Sequence, residues 1–366
     1  MWKGKQRQSA GNDSTQIQTQ TLVVVQGVTE ERAAEIAEIT ARKVASEFTA
    51  DARSAAQARI GSFDQQLVAE FATKGLLETF RDPGFQILLN KAQMQAAATE
   101  NEADHELLTK LLAERASDQR KPIHLAVTRA AEVIDSIDET TLAGMTLLWY
   151  SLDTFSASTD PLQSLIGREG NYHDLLNAGP LPKGTAWLDD LDLLDLISVD
   201  HSQARTMKPL EDLTIDRRPG LFSRGLNEDE ANEMRRRLDA LSEGLASLVM
   251  PHSLAPGYFR INAASLGDHR EIAERKGLSS GQTKLLEKIF EDCSCGTVDP
   301  DVKKKAIDFI EGLPNYSKIR TWFNGFNSQV AIRITAPGIA IAYSNARRFN
   351  SLAGLDKLSN LLTRRP

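Results

Sequence analysis

A long stretch of helix-favouring residues near the N-terminus constrains the fold of this chain more than any other feature. From Arg32 to Ile60 the sequence is rich in alanine, glutamate and arginine, and no proline occurs before Pro83. Such residues cost little in a helix interior, so we predict one long helix from Thr29 to about Lys74, which Gly61-Ser62 could divide in two. Its larger apolar residues form a thin stripe that must pack on later helices of the chain or on copies of itself. These residues are Ile36, Val44, Phe48, Ile60, Phe63, Leu67 and Phe71.

The residues before this helix combine a polar leader with one β-branched segment. Thr21–Val25 has the composition of a strand, but Gly27 ends it and no second strand pattern lies nearby. A single strand leaves its backbone donors and acceptors without partners, so its partner must be a distant strand, a neighbouring subunit or water. We therefore predict an assembly element. Its candidate oligomerisation residues are Ile17, Leu22, Val23, Val24 and Val25, together with Ile36, Val44 and Phe48 of the helix.

Composition and charge place the chain among ordinary globular proteins. With 366 residues, 41% hydrophobic and 25% charged, it has room for two or three domains, and a net charge of −7 argues against nonspecific coating of nucleic acid. Cys293 and Cys295 are the only cysteines, and their spacing is too tight for an unstrained disulfide. No signal peptide or run of about 18 apolar residues is present. We expect a cytoplasmic protein that does not span or bind a membrane.

The remaining pattern predicts a mostly α-helical protein in four segments. Residues 1–27 form the leader and assembly strand, and residues 28–155 form the long helix and a helical bundle. Residues 156–225, rich in glycine and proline, form an irregular connector with one short acidic helix over 187–197. Residues 226–366 form a C-terminal helical unit. Within this unit, three short helices over 278–290, 301–310 and 317–326 are followed by a strand at 329–335 and a further helix, an arrangement that winged-helix domains also use.

No pattern of residues indicates catalysis, a metal or a cofactor. The six histidines are scattered, and no phosphate-binding loop or nucleophile elbow occurs. We therefore predict no catalytic, cofactor-binding or metal-binding residues and favour a non-enzymatic role. The alternative is an enzyme whose site is assembled in the connector around His173, His201 or Arg224.

The first alternative function, ranked ahead of the enzyme, is a nucleic-acid-binding regulator that acts through the C-terminal unit. Basic residues lie close in sequence to Trp322, Phe323 and Phe326, and such combinations contact phosphates and bases. Basic runs at helix ends also complement the helix dipole and keep surfaces soluble, which is the simpler interpretation. The candidate nucleic-acid contacts are Lys303, Lys304, Lys305, Arg347 and Arg348.

Three stretches of the sequence resemble a poorly characterised bacterial family. They are Gly11–Gln18 leading into Gly27-Val28-Thr29, the motif Phe80–Phe85, and the tail Ile334–Ala346. The resemblance implies a helical body, and similar leaders occur on proteins encoded near phage-defence genes. Asn12-Asp13 departs from the family's order of aspartate before asparagine. Our leading interpretation is a self-associating homo-oligomeric scaffold, sensor or adaptor, with a role in phage defence and with a further protein as partner.

Overall fold

The structure is a computed structural model in which most of the chain can be described. It divides into two compact units, Met1–Ala55 and Ala56–Pro366. The leader and the predicted strand, including Ile17 and Leu22–Val25, lie outside the described residues. Ile36, Val44 and Phe48 lie within a helix whose side chains are described at residues 39 and 42 and from residue 49 onwards. The described ranges are 30–118, 120–153, 160–177, 179–200, 206–349 and 357–363.

Helices dominate the described residues, which confirms the mostly α fold. The first helix is continuous from Glu30 to Lys74, so Gly61-Ser62 does not divide it in two. The helices are α1 (Glu30–Lys74), α2 (Pro83–Ala98), α3 (Glu102–Ser117), α4 (Lys121–Ala131), α5 (Glu139–Asp153), α6 (Pro161–Leu176), α7 (Ala186–Leu193), α8 (Leu210–Asp216), α9 (Glu228–Leu241), α10 (Asp268–Lys276), α11 (Ser280–Asp292), α12 (Pro300–Glu311), α13 (Pro314–Asn324), α14 (Ala336–Ala346) and α15 (Leu358–Thr363).

Short strands form two antiparallel pairs within the described residues. The strands are β1 (Ile197–Asp200), β2 (Val249–Pro251), β3 (Phe259–Ile261) and β4 (Ala331–Ile334). Strand β4 was predicted, but its partner β1 was not; Ile197 lies opposite Ile334, and β2 pairs with β3. The acidic helix was predicted to reach Ile197, whereas α7 ends at Leu193 and Asp195 turns the chain with a φ of 58°. Leucine spacing alone could not reveal this turn.

The larger hydrophobic core surrounds α14. All residues from Gly338 to Ala346 are buried, and the helix packs against α3, α4 and α5. Thr335 caps the helix, since its hydroxyl accepts from the Gly338 amide at 3.3 Å. The Thr335 backbone amide donates to the Leu196 carbonyl at 2.9 Å, and the Thr335 hydroxyl donates to the Asp195 carbonyl at 2.6 Å. This corner places β1 directly against the first turn of α14.

A smaller core joins α9, the β2–β3 hairpin, α10 and α11. Its buried residues run from Leu226 to Cys295. The later helices α12, α13 and α14 contribute instead to the larger core. The residues that we predicted as one C-terminal unit are therefore shared between two hydrophobic clusters, because α14 completes the bundle formed earlier in the chain.

The segment predicted as an irregular connector contains α6 and α8 as well as α7. Asp160 and Pro161 start α6, and the Asp160 carboxylate accepts from the Gln163 amide at 2.9 Å. An aspartate followed by a proline starts a helix here, whereas we predicted that the prolines of this segment interrupt the helical pattern. Glu169 of α6 then accepts the Tyr316 amide at 2.7 Å and the Asn315 amide at 3.0 Å, which ties α6 to the start of α13.

Candidate functional site

Exposure changes along α1 at Phe63. The described side chains of residues 49–55 are all exposed, and Ile39 is 59% exposed. Phe63, Leu67 and Phe71 are buried in the larger core. The Phe63 ring meets His105 edge-on at 6.2 Å between centroids. The part of the apolar stripe from Phe63 onwards therefore packs within its own chain.

The exposure of α1 before Phe63 is described at Ile39, at Arg42 and from Thr49 onwards. Ile39, Arg42 and residues 49–55 are exposed, whereas Arg59 already donates to the Ala97 carbonyl at 3.0 Å. Isolated helices are only marginally stable in water, because helical stability in proteins comes mainly from packing of an apolar face. The candidate residues Ile36, Val44 and Phe48 lie in this part of the helix. It is the candidate assembly segment, defined as residues 30–62.

Two of the candidate nucleic-acid contacts are engaged within the chain. Lys303 lies 2.6 Å from a carboxylate oxygen of Asp212 and 3.8 Å from one of Asp216. Arg348 donates to Glu106 at 3.1 Å and to the Asn345 side chain at 2.9 Å. Lys304, Lys305 and Arg347 are exposed.

The neighbouring aromatic residues belong to the core. Trp322 stacks on Trp187 and donates from Nε1 to the Pro182 carbonyl at 2.9 Å, while Phe323 and Phe326 are buried. They are not available to stack on bases. Nucleic-acid binding through this basic cluster therefore stays a prediction, to which Trp322, Phe323 and Phe326 would contribute no stacking on bases.

The candidate enzymatic residues do not form a described site. His173 is exposed, Arg224 pairs with Glu230 at 2.9 Å, and His201 lies outside the described residues. Burial raises the pKa of both Cys293 and Cys295 to about 12, so neither thiol is an activated nucleophile near neutral pH. In the described part of the chain, no group of three or more metal-ligating side chains and no helix able to cross a membrane is found.

A buried arginine centre was not predicted from the sequence. Arg168 of α6 donates to the Ser151 carbonyl at 3.2 Å and to the Tyr172 hydroxyl at 3.0 Å. Its guanidinium carbon lies 5.1 Å and 5.3 Å from the ring centroids of Tyr150 and Tyr172, within cation–π range. Burial acts to lower the Arg168 pKa, but the surrounding tyrosines, including Tyr316, outweigh it and raise the pKa.

The arginine centre connects helices α5, α6, α8 and α13. Tyr172 packs edge-on against Tyr316 at 5.3 Å, and the Tyr316 hydroxyl hydrogen-bonds Thr214 of α8. Arg168 and Thr214 also line a small cavity with Ser164 and Arg218. The hydrogen bonds of Arg168 to Ser151 and Tyr172 tie α5 to α6. The only available sequence signal was the spacing of Arg168 four residues before Tyr172, which places both on one helix face.

Buried His252 makes the stability of the fold depend on pH. Its Nδ1 accepts from the Leu254 amide at 3.3 Å, so its Nε2 donates to the Ser223 carbonyl at 3.0 Å and the ring is neutral. Burial is the main cause of its lowered pKa, and nearby Arg260 lowers it further. The Ser223 hydrogen bond is the second-largest influence and raises the pKa, as Asp160 does more weakly, while Lys305 lowers it slightly.

We expect the urea midpoint of unfolding to fall between pH 7.5 and pH 5.5. The unfolded imidazole titrates at about 6.5, above the folded one, so the unfolded state binds the proton first as pH falls. The stabilising contribution of neutral His252 is present above that pH and is lost below it. Circular dichroism during urea unfolding measures the midpoint at each pH. In His252→Gln, which cannot titrate, the midpoint should fall less; an equal fall would contradict the assignment.

Comparison with known proteins places the chain in a family. One protein-family model, described as ":-like", matches residues 27–359. No curated protein and no solved structure matches the chain significantly. The matched range includes α1, both hydrophobic cores and the tail of the resemblance, but not the residues Gly11–Gln18 of the leader. Because the match covers most of the sequence, the chain belongs to this poorly characterised family.

Proposed function

We propose that the chain is a non-enzymatic scaffold, sensor or adaptor that self-associates through its N-terminal strand segment and the assembly segment of α1. The observation that carries this proposal is the change of exposure along one continuous helix. Its described side chains at residues 49–55 are exposed, whereas its buried face begins at Phe63.

We infer that a second copy of the chain packs on the stripe of Ile36, Val44 and Phe48. At 100° per residue, Ile36, Val44 and Phe48 fall within about 120° of one another, which is the width of an apolar stripe. A homotypic helix pair would bury this stripe on both copies at once. A parallel arrangement of the two helices would also bring two copies of Thr21–Val25 close enough to pair as strands, which would give their backbone groups partners.

Charge placed on the stripe should separate the copies. We expect Val44→Glu/Phe48→Glu to reduce the mass measured by light scattering to that of the 40.3 kDa monomer, because four glutamates would meet in each helix pair. The matched control is Thr49→Glu/Gln57→Glu, which adds the same charge at exposed positions of the same helix. This control should keep the mass of the unmodified oligomer.

The outcome also tests the two parts of the assembly element separately. A chain that starts at Val28 lacks the strand but keeps the helix, so its mass shows whether the strand is required. Equal masses for the unmodified chain and Val44→Glu/Phe48→Glu would contradict assembly through the helix. Equal masses for the unmodified and shortened chains would contradict assembly through the strand.

The cellular context of the proposal comes from the leader. A bacterial cytoplasmic location and a role in phage defence follow from the resemblance of Gly11–Gln18 and from composition. Phage challenge of a bacterium expressing the chain tests that role. If the Val44→Glu/Phe48→Glu variant protects as well as the unmodified chain, self-association is not needed for protection.

A further inference from the structure

Helices α1 and α2 expose large apolar side chains on their outer sides. Val68 of α1 is 50% exposed, and Ile87 and Met94 of α2 are 64% and 73% exposed. Ile87 and Met94 are seven residues apart, so they lie two turns apart on the same side of α2. The opposite side of α2 carries Phe85 and Ala92, which are buried in the larger core.

The outer sides of these two helices are also free of charge. Every exposed residue within 63–73 of α1 is uncharged, and the same holds within 83–98 of α2. Charged residues resume at Lys74 and Asp82 at one end and at Glu100 at the other. Surface helices ordinarily expose charged residues opposite their apolar face. We name this surface the neutral face and define it as the exposed residues of 63–73 and 83–98.

Three charged residues occur within these two ranges, and all three are half-buried. They are Asp64, Glu70 and Lys91. Glu70 accepts from Lys110 at 3.1 Å, and Lys91 pairs with Glu132, so both charges are engaged with helices of the same chain. These two residues lie at the outer edges of the neutral face and do not interrupt it.

Asp64 connects the two helices in the groove between them. The side-chain amide of Gln93 donates to both carboxylate oxygens of Asp64, at 2.9 Å and 3.1 Å. Val68 follows Asp64 by one turn of α1, and Asn90 and Met94 lie beside Gln93 on α2. The exposed sides of α1 and α2 therefore adjoin and form one surface.

The composition of the neutral face suits contact with an identical face. In a twofold contact the same patch of both copies meets itself, so like charges would repel each other. The exposed side chains of Gln65 and Asn90 are carboxamides, which carry both donors and acceptors and can therefore hydrogen-bond to their own copies. Protein interfaces are likewise depleted of charge and enriched in methionine.

The size of the neutral face limits what it can do alone. Helix α2 has 16 residues and is roughly 24 Å long, and two helices side by side are roughly 20 Å wide. The face therefore covers about 500 Å² in projection, whereas a stable interface buries about 800 Å² on each partner. A stable contact needs a further surface, which the assembly segment of α1 supplies.

We propose that the neutral face binds the neutral face of a second copy and extends the contact made by the assembly segment. This inference rests on the proposed self-association and adds α2 to it. Val68, Ile87 and Met94 form the apolar centre of the contact, and the carboxamides of Gln65 and Asn90 bond across it.

Sedimentation velocity on the full chain over a series of concentrations measures the dissociation constant of self-association. We expect Val68→Lys/Met94→Lys to raise this constant at least about tenfold, because four lysines would meet in the contact. Val68→Glu/Met94→Glu should have the same effect. An equimolar mixture of the two variants should associate as tightly as the unmodified chain, because the lysines of one copy then meet the glutamates of the other.

The matched control is Leu193→Lys/Leu285→Lys. It places two lysines at apolar positions of α7 and α11 that are also more than half exposed but lie outside the neutral face. This control should leave the dissociation constant unchanged. Matching thermal unfolding of all variants ensures that weaker association reflects the contact and not the fold.

Two results would overturn this inference while the proposed self-association stands. The first is an equal dissociation constant for Val68→Lys/Met94→Lys and the unmodified chain, with dissociation only in Val44→Glu/Phe48→Glu. The second is a mixture of the lysine and glutamate variants that stays dissociated. An unmodified chain that is monomeric at every concentration would overturn the proposed function and this inference together.

Discussion

Replacing Gly338 by alanine should destabilise the larger core by about 3 kcal/mol or more, at the upper end of the cost of overpacking. An added Cβ at Gly338 would collide with the carbonyl oxygen of Leu196 and lie 2.9 Å from Cγ2 of Ile334. The Leu196 carbonyl cannot simply move away, since it accepts from the Thr335 amide, and the Thr335 hydroxyl holds the neighbouring Asp195 carbonyl. The clash must therefore separate α14 from the β1–β4 corner.

Tryptophan fluorescence during urea unfolding measures this effect, because Trp149 and Trp187 are buried in the larger core. Gly170→Ala is the matched control. Gly170 lies inside α6, and an added Cβ there would meet nothing within 4 Å. This control should stabilise the chain by about 0.5–1 kcal/mol, because alanine favours the helix. Similar urea midpoints for Gly338→Ala and the unmodified chain would show that the corner is not tightly packed.

The second large effect is expected from Arg168→Ala, which should cost about 3–5 kcal/mol. The substitution leaves a cavity between Tyr150 and Tyr172 and removes the donors that satisfy the Ser151 carbonyl and the Tyr172 hydroxyl. Tyr172 also packs against Tyr316 of α13. The loss of Arg168 should therefore weaken the packing of α5, α6 and α13 together. The urea midpoint, again followed by tryptophan fluorescence, provides the measurement.

Two further variants separate the contributions of the arginine. Tyr172→Phe keeps the aromatic packing but removes the hydroxyl that bonds Arg168 and Ser151, so it should cost only about 1–2 kcal/mol. Arg168→Lys keeps the charge but loses the planar fork, so its cost should lie between those of Tyr172→Phe and Arg168→Ala. If Arg168→Ala were no worse than Tyr172→Phe, the guanidinium would not hold the centre together.

Local signals in the sequence were sufficient to place many helices. The helices predicted at 278–290, 301–310 and 317–326 correspond to α11, α12 and α13, each within three residues at either end. Their caps and apolar spacing are local properties, so neighbouring residues alone specify them. The same local signals also marked the strand β4, whose alternating apolar residues need no knowledge of the partner strand.

Other features depend on residues far apart in the chain. The sequence around Ile197 does not reveal β1, because that strand exists only by pairing with β4. The tail that contains Thr335 and Gly338 resembles a family motif, but the sequence does not explain why these two residues occur there. Their physical role becomes clear only in the fold, where the Leu196 carbonyl lies against the first turn of α14.

By itself, the sequence determined that the chain is mostly helical and that a long, sparsely apolar helix follows a polar leader. These properties follow from backbone propensity, capping and periodicity, which act over a few residues. Only the tertiary structure decided that one face of α1 is buried from Phe63 onwards, and that Arg168 is enclosed by tyrosines. Burial is a property of packing between distant segments, and no local pattern of residues specifies it.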